Sequence, residues 1–182
     1  SEEIFCAKTH LLLKKKFSNI LTIIIPRHIN RINKISEELS NLNLKINLYS
    51  KFRQMDIDTD ILLVDSYGEA SKFYNISKCV LLGKSLTKSS TNTGGQNPIE
   101  ASRLGCKIFY GSGVENFAEI YKYLKTLGVA EQINSPEELQ QVLINEFNEN
   151  KVNNSEVLKK IENFGLNILS DVVKEIKIYI NT

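Results

Sequence analysis

Short β-branched apolar runs alternate with amphipathic stretches along most of this chain. "NILTIIIP" (19–26), "DILLVDS" (60–66), "KCVLLGKS" (78–85) and "CKIFYGS" (106–112) read as buried strands. "LKINLYS" (44–50) alternates apolar and polar, and a shorter run near 129–133 reads as a further strand. Between them, helices are predicted over about 2–17, 29–41, 67–75, 98–104, 117–127 and 136–148. Ser1 with Glu2 and Glu3 suits the start of the first helix. A Ser/Thr/Asn/Gly loop fills 87–96, and a polar break at 148–154 precedes a long helix over about 155–180.

Strands that alternate with helices in this way predict a parallel sheet covered on both faces. Right-handed crossovers leave few topologies for such a chain. The expected fold is therefore α/β: a Rossmann-like, doubly wound parallel sheet with helices on both faces, plus a long C-terminal helix. The domain expectation is one unit over 1–150 and the C-terminal helix over 151–182. That helix either packs on the unit or reaches across to a partner domain.

Composition narrows the class without naming a function. The 182 residues are 42% hydrophobic and 24% charged, as in ordinary globular domains. A formal charge of +2 argues for no nucleic-acid partner. Nothing reaches the roughly 20 apolar residues of a membrane-spanning helix. Cys6, Cys79 and Cys106 form no CxxC pair and no metal spacing with His10 or His28, so buried reduced thiols are expected, with no metal. A chain that opens directly in helical sequence without Met is expected to be part of something longer.

In a doubly wound sheet, ligands bind beyond the carboxyl ends of the strands. Four segments leaving those ends carry Ser or Asn three residues before Glu: Ser66 to Glu69, Asn97 to Glu100, Asn116 to Glu119, and Ser135 to Glu138. Each fits a capping box, and Pro98 and Pro136 suit the first helical position. For Ser135 the plainer reading, a helix start alone, is preferred. Gly94 and Gly95 add nothing to a cap, and glycine admits close backbone approach by a ligand. Helix-start N–H groups for a phosphate and a Glu100 carboxylate for ribose hydroxyls together suggest a nucleotide site. Arg27 and His28 follow Pro26 at the end of the first strand, on the same rim, and Arg is a bidentate phosphate partner. His10 is read as structural.

"TIIIPRH", "ILLVDSYGEASKFYNISKCVLLGKSL" and "GGQNPIEASRLGCKIFYGSGVENFAEIY" together resemble the C-terminal half of the 3-deoxy-D-manno-octulosonic acid (Kdo) transferases, in the GT-B class of glycosyltransferases. The resemblance covers about residues 1–145 through PRH, D-[ST]-x-G-E, GG-x-NP-[LI]-E and N-F-x-E-I. It implies a Gram-negative enzyme of lipopolysaccharide biosynthesis. Such an enzyme moves Kdo from CMP-Kdo to a lipid A precursor at the cytoplasmic face of the inner membrane. The family's other half holds the acceptor and the general base, so no catalytic residue is expected here, and this part alone is expected to be inactive and not membrane-inserted. Carried over by motif, the nucleotide-binding candidates are Arg27, Ser66, Tyr67, Gly68, Glu69, Gly94, Gly95, Asn97, Glu100 and Asn116, with Pro26, His28 and Gln96 as further candidates. No cofactor is implied, and binding is expected to be metal-independent. Gln96 stands where many members have His, Tyr67 where Met is frequent and Ala70 where Leu is frequent, and the loop before Gly94 is longer than the family's compact one.

Two other readings compete. One is a GT-B donor domain or epimerase-like enzyme using a UDP-sugar, which base specificity would distinguish. The other is a non-enzymatic binding module, which predicts no nucleotide affinity. Lys14, Lys15 and Lys16 at a helix end read as a solvated face favoured by the helix dipole rather than a membrane anchor.

Overall fold

The computed structural model describes residues 1–54, 56–86, 94–148 and 155–180. Most of the 87–96 loop and of the 148–154 break therefore lies outside the described residues. In order, the elements are α1 (Glu2–Lys14), β1 (Thr22–Ile24), α2 (Ile32–Ser40), β2 (Ile46–Leu48), β3 (Ile61–Leu63) and α3 (Ala70–Ile76). They continue with β4 (Cys79–Leu81), α4 (Ile99–Arg103), β5 (Lys107–Tyr110), α5 (Ala118–Thr126), β6 (Ala130–Gln132), α6 (Pro136–Asn148) and α7 (Ser155–Ile180). Every strand pair is parallel, and the strands lie in two three-stranded sheets, β1-β3-β2 and β4-β5-β6.

Strand side chains alternate faces, so each sheet needs cover on both sides. In β5, Ile108 and Tyr110 join Ala101 of α4, Tyr121 and Leu124 of α5 and Ile161 of α7 in one buried cluster. Phe109 faces the other way, onto Leu139 and Val142 of α6 and Phe5 of α1. In β3, Ile61 and Leu63 pack with Ala7 of α1 and Ile35 and Leu39 of α2, while Leu62 packs with Phe73 of α3. The expected α/β architecture with helices on both faces is present. α1 serves both sheets, through Phe5 on one side and Ala7 on the other.

Several bounds differ from expectation for local reasons. Gly68 takes φ +79, which turns the chain and delays α3 to Ala70. Tight 3-10 turns at Ile29–Arg31 and Glu115–Phe117 precede α2 and α5, and 3-10 structure at Tyr49–Gln54 begins inside the run read as a strand over 44–50, which ends at Leu48. The first part of α7 docks on this unit: Phe164 stacks on Tyr123 at 4.2 Å, and the Tyr123 hydroxyl donates to the Lys160 carbonyl at 3.3 Å. Further along, Leu166 and Leu169 are 58% and 59% exposed. Cys106 is buried, whereas Cys6 and Cys79 are half-buried rather than fully buried, and none of the three is in a disulfide.

At the opposite end from the strands' carboxyl edge, α1 closes the first sheet through a polar knot. His10 lies fully buried between Thr22 (2.9 Å from Nδ1) and Asp60 (3.2 Å from Nε2). Asp60 also accepts from the Lys14 ammonium and from the Lys45 amide at 2.9 Å. Burial pushes the His10 pKa down, and the hydrogen bond and charge of Asp60 only partly oppose this. Burial alone would raise Asp60, but Lys14, Lys45 and His10 together hold it below the usual carboxylate range. The resulting arrangement is a neutral imidazole donating from Nε2 to a carboxylate whose counter-ion is Lys14. The structural reading of His10 holds.

Candidate functional site

The parallel strands bring their carboxyl ends to one edge. The Val64 amide donates to the Ile24 carbonyl at 2.9 Å, which sets Pro26–His28 and Asp65–Glu69 side by side beyond β1 and β3. Pro26 is buried, and Arg27 and His28 are exposed. Asp65 is committed to the chain itself: its carboxylate accepts from the Ser50 amide at 2.9 Å and the Ser50 hydroxyl at 2.6 Å. Tyr67 is 67% exposed.

The Ser66 to Glu69 capping box does not form. Because Gly68 delays the helix, Glu69 itself occupies the N-cap, without a side-chain cap bond. Its carboxylate instead pairs with Lys72 at 2.8 Å and accepts from the Tyr49 hydroxyl at 3.4 Å. The Ser66 hydroxyl is buried with no hydrogen-bond partner. Such an orphan costs about 1–3 kcal/mol and requires an explanation.

On the second sheet, the glycine pair is explained by packing. A Cβ on Gly94 would lie 2.5 Å from the Gly113 carbonyl oxygen, and one on Gly95 3.0 Å from the Val114 Cα. Gly95 also takes φ +83. Their amides are engaged within the chain, so the glycines serve packing here rather than the ligand approach expected of them. Gly94 N–H donates to the Glu115 carboxylate at 3.2 Å and Gly95 N–H to the Lys84 carbonyl at 2.6 Å. Asn116 donates its amide to the Gly94 carbonyl at 3.3 Å. The buried Tyr121 hydroxyl donates to the Gln96 carbonyl at 2.8 Å, so α5 anchors this turn as well.

Of the Asn97 to Glu100 box, only half is present. Asn97 Oδ1 accepts from the Ile99 amide at 3.0 Å, but Pro98 holds the N-cap position and Glu100 does not reach back. Glu100 instead accepts from the Ser71 hydroxyl of α3, joining the two halves of the rim. The Asn116 to Glu119 box is also absent, because the 3-10 turn puts Phe117 at the N-cap of α5. Ser135 to Glu138 does cap: Ser135 Oγ accepts from the Glu138 amide at 3.1 Å, and Glu138 accepts from the Asn134 amide at 2.8 Å.

One rim residue escaped the sequence reading. The Glu2 carboxylate, at the start of α1, accepts the amides of Lys84, Ser85 and Leu86 at 2.6, 2.9 and 3.0 Å. No local signal reveals a contact across more than 80 residues. Among the described residues, no group of three or more His, Cys, Asp or Glu could hold a metal ion, and no helix is long and apolar enough to cross a membrane.

The chain is similar to curated Kdo transferases over most of its length. It is 28% identical over 171 residues to the 3-deoxy-D-manno-octulosonic acid transferase of Haemophilus influenzae, covering 93% of this chain and 38% of that protein. It is 30% identical over 131 residues to the corresponding transferase of Rickettsia bellii, covering 72% of this chain and 30% of that protein. A bifunctional glycosyltransferase/methyltransferase of Fusobacterium nucleatum matches at 27% over 172 residues, 92% of this chain and 26% of that protein. The chain thus spans well under half the length of these relatives. No family model matches. Its fold is that of the C-terminal CMP-Kdo binding domain of WaaA from Acinetobacter baumannii, with a TM-score of 0.76 at 21% identity, over 89% of this chain and 82% of that one. The resemblance read from the motifs and the Rossmann-like α/β fold both stand.

Proposed function

We propose that this chain is the CMP-Kdo-binding part of a Kdo transferase, a glycosyltransferase that moves Kdo from CMP-Kdo to a lipid A precursor at the cytoplasmic face of a Gram-negative inner membrane. The observation that carries the reading is the orphaned Ser66 hydroxyl. It lies on the rim of a fold shared with a CMP-Kdo binding domain. Its oxygen is closed off from solvent, so a ligand hydroxyl or phosphate oxygen would satisfy it after a small local shift of the chain beside the exposed Tyr67.

The residues divide the work by charge. Transfer breaks the bond between the sugar's anomeric carbon and the phosphate oxygen, so CMP leaves with that bond's electrons. Arg27, exposed beyond β1, supplies a fixed positive charge for the phosphate. The amide of the exposed Glu100 precedes the first ladder bond of α4, which runs from Ser102 to the Pro98 carbonyl, and adds a donor. Glu100 keeps acceptor capacity beyond its bond to Ser71 and suits the ribose hydroxyls. The new glycosidic bond forms as the acceptor hydroxyl gives its proton to a base, which this reading assigns to the other half of the enzyme. The exposed second half of α7 is assigned to contact with that half.

Calorimetric titration of the chain with CMP, UMP and AMP tests the reading. The expected result is CMP bound at least about tenfold more tightly than the others, a difference of about 1.4 kcal/mol. Preference for UMP would favour a UDP-sugar enzyme, and no affinity for any of them a non-enzymatic module. The same chain is expected to transfer no Kdo by itself.

A further inference from the structure

Glu2 contributes more than a helix-start charge. Its Oε2 accepts from the Lys84 amide, and its Oε1 from the Ser85 and Leu86 amides. Three successive N–H groups converging on one anion form a backbone nest, and Lys84 takes φ +57 to build it. Gly83 makes room, since a Cβ there would stand 2.9 Å from Glu2 Oε2.

The segment so held is the hub of the second sheet's rim. The Lys84 carbonyl accepts the Gly95 amide at 2.6 Å, and the Ser85 carbonyl accepts the Gly113 amide at 2.8 Å. The fully buried Ser85 accepts the Gly111 amide on its hydroxyl at 2.9 Å and donates that hydroxyl to the Leu82 carbonyl at 2.6 Å. Glu2 therefore fixes 84–86, which fixes Gly95, and Asn97 and Glu100 follow directly along the chain.

We propose that Glu2 is the positioning residue of this rim, holding the Lys84–Leu86 backbone in the one arrangement that presents Gly95, Asn97 and Glu100 to the nucleotide; this rests on the CMP reading above. An ordinary first-turn carboxylate acts on the helix dipole and needs no contact with residues 84–86. Glu3 provides that comparison: it occupies the same turn, but pairs with Arg31 at 3.0 Å.

The test compares Glu2→Gln with Glu3→Gln. Both remove one charge from the first turn of α1. Only Glu2→Gln swaps an accepting oxygen for an amide that faces N–H donors. Amide exchange followed by NMR and CMP calorimetry are measured on both variants and on the unmodified chain. Expected are faster exchange at Lys84, Ser85, Leu86 and Gly95 and about tenfold weaker CMP binding in Glu2→Gln, with neither in Glu3→Gln. Should Glu2→Gln fail to fold, Glu2→Asp, which keeps both oxygens one methylene short, carries the same comparison. Equal exchange in the two variants overturns the proposal, as does faster exchange with unchanged CMP affinity. An unmodified chain that binds no CMP overturns the nucleotide reading itself, and the exchange comparison then decides the hold of Glu2 on the loop.

Discussion

Replacing Gly94 by alanine separates two reasons for the glycine pair, ligand approach and packing. The added Cβ would lie 2.5 Å from the Gly113 carbonyl oxygen and would also crowd the Glu115 carboxylate. Ordinary contact begins about 0.9 Å farther out. The Gly113 loop cannot recede freely, because its amide is bonded to the Ser85 carbonyl at 2.8 Å. Overpacking of this kind costs about 1–3 kcal/mol. Moving Gly94 instead strains its bond to Glu115, a charged hydrogen bond worth about 1.5–3 kcal/mol. One shift relieves both, so the terms overlap and the expected loss is about 2–4 kcal/mol. For a chain of this length, that lowers the melting temperature by roughly 5–15 °C. Gly68→Ala is the internal control: φ +79 makes it strained, but a Cβ there meets nothing within 4 Å. Its cost is the left-handed backbone alone, about 1–2 kcal/mol. Thermal melts followed by circular dichroism, without nucleotide, give the ranking. If Gly94→Ala melts within 2 °C of the unmodified chain, or above Gly68→Ala, the packing argument is wrong.

Glu100→Gln is expected to leave the melting temperature within roughly 2 °C while weakening CMP binding about tenfold or more, because a charge-assisted bond to ribose is lost; loss of stability with CMP affinity intact would assign Glu100 to its bond with Ser71 of α3 alone. Asp60→Asn removes the counter-charge of Lys14 and leaves His10 only a neutral acceptor, and a loss of about 2–4 kcal/mol is expected in urea melts at pH 7. The pH dependence carries a definite sign. His10 resists protonation when folded, so stability falls as pH drops below about 6.5; Asp60, held low, withdraws its contribution below about pH 4, and Asp60→Asn flattens that lower limb. Calorimetric CMP affinity is expected to be unchanged by EDTA or added Mg²⁺, and a tenfold gain with Mg²⁺ would contradict the charge assignment to Arg27 and backbone amides.

Period and composition alone carried the α/β alternation. β-branched runs such as "TIIIP" and "ILLVD" bury both faces of a strand, and that pattern is local. The motifs likewise marked the rim, since residues following parallel strands must emerge on one edge. The capping boxes show where local reading stops. Ser135 and Glu138 cap a helix as their spacing predicts, because nothing else competes for them. Glu69, Glu100 and the helix after Asn116 had competitors: Lys72 and Tyr49, the Ser71 hydroxyl of α3, and a 3-10 turn. A capping bond is worth about 1 kcal/mol, so any well-placed neighbour can displace it. Gly94 and Gly95 were legible as glycines with a purpose, but their purpose was decided by Gly113, Val114 and Glu115 packing against them. The hold of Glu2 on Lys84–Leu86 was beyond any reading of spacing. It exists because α1 runs from the rim of the second sheet to the base of the first, and only folding brings residue 2 to residue 84.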